Sequence, residues 1–91
     1  MMWQAEVRVM LKPSVNDPQG LSIRGALRTL GFAHVEDVRA GKVIHIKLQA
    51  DERSAAEAQV ERMCQQLLAN PVIETYSFEL VPAVDPALLQ E

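Results

Sequence analysis

Residues 3 to 12 alternate strictly between two kinds of side chain, and this pattern constrains the fold more than any other. One set is apolar and comprises Trp3, Ala5, Val7, Val9 and Leu11. The other is mostly polar and comprises Gln4, Glu6, Arg8, Met10 and Lys12. A period of two over this length is typical of a β-strand with one buried and one open face. The chain is therefore expected to build a sheet that covers a core on one side.

The remaining periodicities predict two helices and three further strands. Apolar residues at helical spacing (Ile23, Ala26, Leu27, Leu30) predict the first helix, and Gly31 suits the left-handed position after its end. A short strand over 34–39 and a longer one over 43–50 would be joined by a turn around Gly41. A second helix follows, with Asp51 or Ser54 as its cap, and Asn70 and Pro71 end it before a last strand over 72–80.

The predicted order is β-α-β-β-α-β, and the expected fold class is α+β. In this two-layer sandwich, two helices cover one face of a four-stranded antiparallel sheet, as in a ferredoxin-like plait or a near relative. Gly25, in the middle of the first helix, suggests that this helix approaches the sheet closely. Because 91 residues leave no room for two cores, we expect one domain over 1–81 and a C-terminal tail over 82–91.

Composition and charge exclude several classes of function. A net charge of −3 argues against a general nucleic-acid or membrane-surface binder. The one Trp, one Tyr and two Phe are too few for base-stacking platforms. The sequence shows neither a signal-like apolar run nor a stretch near the roughly 20 apolar residues of a membrane span, so we expect a soluble cytoplasmic protein.

Residues that could carry chemistry are sparse. His34 and His45 lack partners at metal-ligand spacing, and the lone Cys64 falls on the apolar stripe of the second helix. A metal-carrying plait would need a Cys-x-x-Cys pair, and a phosphate-hydrolysing one would need an Arg among glycines in the first loop. We therefore expect no catalytic, cofactor-binding or metal-binding residue. A small-molecule regulatory plait remains open, because such domains often bind ligands through backbone at a dimer interface.

The first loop, "KPSVNDPQG", contains more fixed features than a short turn needs. Asp17 can cap the coming helix, Pro18 suits its first position, and Gly20 permits a close approach. Two prolines make the loop stiff and remove N–H donors that an anion would need. A rigid turn leading into the helix is favoured on these grounds, and a docking loop with Lys12 at its charged edge is the alternative.

Four segments together resemble the PurS subunit of phosphoribosylformylglycinamidine synthase. They are "LKPSVNDPQG", "ALRTLGF", "VRAGK" and "LLANPVIETYSFEL", in the order and spacing of that family. The resemblance runs from about Val7 to Leu80. The family-motif residues, which we regard as candidate partner contacts, are Lys12, Pro13, Asp17, Pro18, Gly20, Arg39, Gly41, Lys42, Asn70 and Pro71.

The resemblance implies a small, non-catalytic subunit of a three-component amidotransferase of purine biosynthesis. In that family, a glutaminase subunit releases ammonia, and a large ATP-dependent ligase uses it to convert formylglycinamide ribonucleotide to the formylglycinamidine. The small subunit would hold the two together and support ammonia transfer. ATP, magnesium and glutamine would belong to the partners, and a homodimer or larger assembly is implied, with no nucleic acid and no membrane.

Overall fold

The computed structural model describes residues 1–83. Its elements are β1 (Met2–Leu11), α1 (Pro18–Thr29), β2 (Gly41–Gln49), α2 (Arg53–Met63), a π-helical turn (Cys64–Leu68) and β3 (Glu74–Pro82). The α+β class is confirmed. Most of the predicted tail, residues 84–91, lies outside the described part of the chain, and β3 extends one residue beyond the predicted end of the domain, to Pro82.

β1 is the central strand of an antiparallel sheet with the order β2-β1-β3. Its alternation sets the register, since Val7 lies between Ile44 and Phe78 and Ala5 lies between Ile46 and Leu80. Val7 and Ala5 are fully buried, as the period of two predicts. The sheet thus has an inner face toward the core and an open face on its other side.

α2 lies on the inner face of the sheet. Its Ala56 and Val60, together with Cys64 of the π-helical turn, are fully buried, and the helix packs against β1 and β3. Leu67, three residues after Cys64, would continue this buried stripe in a regular α-helix, but it is 82% exposed. A π-turn inserts one extra residue per turn and so rotates the following side chains off the helical stripe. The predicted caps are also wrong, because Glu52 holds the N-cap position of α2 and makes no side-chain cap bond.

The fourth strand is absent from the described chain. The sheet has three strands, and residues 34–39, predicted as a strand, have no ladder partner. Gly41 is the first residue of β2 rather than a hairpin turn. Hydrogen bonds to the first loop explain the difference: the N–H of Ala40 donates to the Asp17 side chain, and the Arg39 side chain donates to backbone carbonyls of the loop. These contacts hold the end of the segment beside α1, so it does not form a hairpin with β2.

α1 begins and ends as predicted but does not cover the sheet. Asp17 caps it, Pro18 opens it, and Gly31 follows it with a φ of 104°. Gly20 is nevertheless its only buried residue, and a Cβ at Gly25 would meet nothing within 4 Å, so the predicted close approach is wrong. Among the helices of the described chain, α2 packs on the inner face and α1 does not.

The chain accordingly has two parts. The body comprises β1, β2, α2, the π-helical turn and β3, and the arm comprises residues 18–39. The Cα radius of gyration is 17.4 Å, against roughly 12 Å for a compact chain of this length. The principal extents are 49 × 40 × 16 Å. This flat, open shape differs from that of a compact plait.

Candidate functional site

The base of the arm is the most highly organised loop region in the described chain, and Asp17 is its centre. One oxygen of its carboxylate accepts from the N–H of Gly20 at 3.0 Å, and the other accepts from the N–H of Ala40 at 2.7 Å. The residue is 4% exposed. One side chain therefore ties the first turn of the arm to the residue that follows its end. We call the group Lys12, Asp17, Gly20, Arg39 and Pro71 the clamp.

Hydrogen bonding holds the pKa of Asp17 below its ordinary value. The N–H of Gly20 has the largest effect, followed by the N–H of Ala40, and the Arg39 charge adds to both. Burial acts in the opposite direction without outweighing them. The carboxylate is therefore ionised at neutral pH and serves the clamp as an acceptor only.

Gly20 is required at the clamp because there is no room for a Cβ atom, and not because its backbone φ is positive. A Cβ at this position would collide with the carbonyl oxygen of Val38 and would lie 2.7 Å from an Asp17 oxygen. Gly41 is similarly restricted, since a Cβ there would collide with Met10 and lie 2.6 Å from the carbonyl oxygen of Val9. Gly20 thus allows the end of the arm to pack against the start of α1, and Gly41 allows the start of β2 to pack against β1.

Arg39 and Lys12 join the remaining segments. Nη2 of Arg39 donates to the carbonyls of Lys12 at 2.9 Å and Val15 at 2.8 Å. Nζ of Lys12 donates to the carbonyl of Pro71 at 3.0 Å, and its N–H donates to the carbonyl of Ile73 at 2.8 Å. Three motifs that are far apart in sequence therefore meet at one place. Whether this place contacts a partner chain stays a prediction.

The other predicted residues lie around the clamp in different settings. Asn70 builds the turn into β3, because its side chain accepts from the N–H of Val72 at 2.9 Å. Pro18 is exposed in the first turn of α1, and Lys42 is exposed on β2 opposite Val9. Pro13 lines a groove of about 420 Å³ beside the clamp, together with Met10, Leu11, Asp37, Arg39 and Thr75.

The open face of the sheet carries a row of charged and polar side chains that contact one another across the three strands. Glu6 lies opposite both Glu79 and His45. Arg8 contacts Glu6 and reaches Glu79 at 3.3 Å, and Nε2 of His45 lies 3.2 Å from Glu6. Because these side chains are largely exposed, the pairs add little stability. These contacts depend on the strand register, which the sequence periodicity does not give.

A second contact missed from sequence joins α2 to β3. The hydroxyl of Tyr76 donates to Glu61, and this hydrogen bond, followed by burial, raises the pKa of Tyr76. Arg53 donates to the carbonyl of Leu80 at 2.8 Å and lies over the Trp3 ring at 5.9 Å. These side chains fasten α2 to the sheet and leave no reactive group exposed there.

Metal-ligating side chains do not cluster in the part of the chain that the structure describes. Within residues 1–83, no three His, Cys, Asp or Glu side chains come together to hold a metal ion. Cys64 is fully buried, and burial, followed by the charge of Glu61, raises the pKa of its thiol. No helix over the same residues is both long and apolar enough to cross a bilayer. The hydrogen bonds at the arm base orient a protein segment.

Comparison with known proteins identifies the family. A model of the family described as PurS, phosphoribosylformylglycinamidine (FGAM) synthase, matches residues 4–82. The chain belongs to the PurS family. The PurS subunit of FGAM synthase from Synechocystis is 44% identical over 86% of this chain and 78% of its own length. The Bacillus subtilis PurS subunit is 40% identical over 91% of this chain and 98% of its own length.

Solved PurS structures share the fold. Thermus thermophilus PurS superimposes with a TM-score of 0.82 at 40% identity, covering 92% of this chain and 100% of that one. A chain of the Thermotoga maritima PurLQS structure matches with a TM-score of 0.82 at 31% identity, covering 89% of this chain and 99% of that one. The family resemblance drawn from the sequence motifs is therefore confirmed.

Proposed function

We propose that this chain is the non-catalytic small subunit of a phosphoribosylformylglycinamidine synthase, in which it bridges the ligase and glutaminase subunits. The observation that carries the proposal is its likeness, over nearly the whole chain, to PurS, including a chain of PurLQS. The clamp fits this role because its hydrogen bonds form an organised surface.

In the proposed complex, the glutaminase subunit releases ammonia from glutamine. The ligase subunit uses that ammonia and ATP to convert formylglycinamide ribonucleotide to the formylglycinamidine in de novo purine biosynthesis. ATP, magnesium and glutamine are bound by these partners. This chain holds the two subunits in a fixed relation and helps to keep the ammonia route closed.

We further propose that the chain forms a homo-oligomer. Several large apolar side chains on and just after α1 are exposed: Leu21, Ile23, Leu30 and Phe32 are 50%, 39%, 73% and 57% exposed. Apolar patches of this kind mark interaction surfaces, and a small domain gains stability by burying them. We expect at least a dimer at micromolar concentration, measured by light scattering.

The test compares two sources of ammonia in a reconstituted complex. Purified ligase and glutaminase subunits are assayed for formylglycinamidine formation with glutamine or with ammonium, with and without this chain. We expect the chain to be required for the glutamine-dependent reaction and to leave the ammonium-dependent reaction of the ligase unchanged. Equal glutamine-dependent rates without the chain would refute the bridging role.

The chain alone provides the control for its non-catalytic assignment. We expect it neither to hydrolyse glutamine nor to consume ATP, and turnover that survives further purification would contradict this. If the chain were instead a stand-alone regulatory domain, a small molecule should raise the Tm of the isolated chain. Affinity purification of the tagged chain should then recover neither the ligase nor the glutaminase subunit.

A further inference from the structure

The groove beside the clamp, which we call the clamp groove, combines an apolar wall with two opposite charges. Its volume of about 420 Å³ falls within the usual range for small-molecule sites, roughly 300–1,000 Å³. Met10, Leu11 and Pro13 form the apolar part of its lining, and Asp37 and Arg39 contribute the charges. Because ligand sites typically have apolar walls with a few placed polar groups, the lining has the composition of such a site.

The side chain of Arg39 is held in place and keeps donors for a ligand. Its Nη2 donates to the carbonyls of Lys12 and Val15, which fixes the orientation of the half-buried guanidinium. Nε and Nη1 make no hydrogen bond with residues 1–83, and neither atom is sealed from solvent. A guanidinium matches a carboxylate in geometry and charge, and one that is already oriented loses less entropy on binding. Arg39 is therefore prepared to receive a carboxylate in the clamp groove.

Asp37 places a negative charge in the same groove without pairing with Arg39. The two residues are two positions apart in an irregular segment, so their Cα atoms lie at most about 7 Å apart. Within residues 1–83, neither side chain has an ion-pair partner, and they do not pair with each other. A ligand that carries only a negative charge would be repelled by Asp37, and one that carries only a positive charge would be repelled by Arg39. A zwitterion meets both charges with the complementary one.

We propose that the clamp groove binds a free α-amino acid with an aliphatic side chain. The carboxylate of the ligand accepts from Nε or Nη1 of Arg39, and its ammonium group donates to the carboxylate of Asp37. Its side chain lies against the apolar wall formed by Met10, Leu11 and Pro13. This site goes beyond the bridging role, because it involves a small molecule and no synthase subunit.

The proposed ligand would also connect the two parts of the chain. Asp37 and Arg39 belong to the end of the arm, whereas Met10 and Leu11 belong to β1 and Thr75 to β3. A molecule held between them contacts the arm and the body at once. Its binding therefore adds a connection at the arm base to the hydrogen bonds of the clamp.

Isothermal titration calorimetry of the purified chain with L-leucine tests the site, and two analogues test its charges. Leucinamide lacks the carboxylate, and 4-methylpentanoate lacks the ammonium group. At pH 7 we expect saturable binding of L-leucine at millimolar concentration and at least tenfold weaker binding of each analogue. Absence of saturable L-leucine binding, or equal binding of the three compounds, would overturn the proposal.

A matched pair of variants ties the binding to the groove. Asp37 and Glu36 are adjacent and both exposed, but only Asp37 lines the groove. Asp37→Asn should weaken L-leucine binding at least tenfold while the Tm of the unliganded chain stays unchanged, and Glu36→Gln should bind L-leucine like the wild type. Equal affinities of the two variants would overturn the proposal.

The outcome is separable from that of the proposed function. A chain that binds L-leucine and also recovers the ligase and glutaminase subunits would have this site in addition to the bridging role. A chain that recovers both subunits without binding L-leucine would overturn the amino-acid site and leave the bridging role intact.

Discussion

The body and the arm are held in place by different interactions. In the body, Val7, Val9 and Val60 are almost completely buried by elements of the same chain. In the arm, apolar side chains lie largely in solvent, and order comes from hydrogen bonds at the clamp. The difference shows that local geometry can be fully specified in a segment whose packing is not completed by its own chain.

This contrast fits a bridging subunit. A protein whose function is assembly needs a part that folds regardless of its partners and a part that is presented to them. Clamping the arm at its base lowers the ordering cost of association, since the segment is already oriented before contact. Substitutions matched between the two parts test this comparison.

The largest difference is expected between two leucines. Leu80 is 4% exposed in the body and Leu30 is 73% exposed beside the arm helix. Leu80→Ala should lower the free energy of unfolding by about 2–5 kcal/mol, as for other buried leucines. Leu30→Ala should change it by less than about 0.5 kcal/mol at low protein concentration. Urea denaturation measures both, and similar losses would show that the arm is packed within its own chain.

Two glycines of α1 give the next contrast. Gly20→Ala would drive a methyl group into the carbonyl of Val38, and overpacking of this kind costs about 1–3 kcal/mol. Gly25→Ala meets open space and should stabilise the helix by up to about 1 kcal/mol. Chemical denaturation of the two variants should therefore give opposite signs. A stability loss at Gly25 would mean that α1 approaches another element at this position.

The stability of the arm base should depend on pH through the carboxylate of Asp17. Asp17→Asn can keep the bond from the Gly20 N–H but loses an acceptor for the Ala40 N–H, so its Tm at pH 7 should fall by about 4–8 °C. The folded-state pKa of Asp17 is lowered, so its ionised form contributes stability above the ordinary value of 3.8. That contribution is lost as pH falls through the lowered pKa.

Thermal melts of wild type and Asp17→Asn between pH 7 and pH 2.5 measure this effect. The two Tm values should converge at the acidic end. A gap that stays constant over the whole range would show that the charge of Asp17 has no part in the clamp.

The smallest effect is expected at Lys12. Its Nζ bonds to the carbonyl of Pro71 at 3.0 Å in a half-buried setting, so Lys12→Glu should cost at most about 1 kcal/mol. We predict that the same change weakens recovery of the ligase and glutaminase subunits, because it reverses charge at the edge of a docking loop. An unchanged Tm together with unchanged recovery of both subunits would show that the first loop is only a structural turn and not a docking site.

Local features of this fold could be predicted from sequence, because they depend on neighbouring residues. The cap at Asp17, Pro18 in the first turn and the left-handed Gly31 follow from side-chain and backbone geometry within a few residues. The buried face of β1 follows from its period of two. The family could also be predicted, because the motifs fall throughout the chain in a specific order.

Features that depend on distant residues could not be predicted in this way. The expected strand over 34–39 has strand-like residues, but hydrogen bonds of Arg39 and Ala40 to the first loop decide its course. The apolar stripe of α1 correctly predicts a helix, yet periodicity does not show what lies against that stripe. The convergence of Lys12, Arg39 and Pro71 at the clamp likewise depends on tertiary structure alone.

Amide hydrogen exchange tests the contrast between body and arm most directly. It would be measured by mass spectrometry on peptides covering residues 18–39 and residues 3–11, at protein concentrations below and above self-association. The account predicts that the arm exchanges rapidly in dilute protein and becomes at least tenfold more protected on association, while β1 stays strongly protected throughout. An arm as protected as β1 in dilute protein, or unchanged on association, would contradict it.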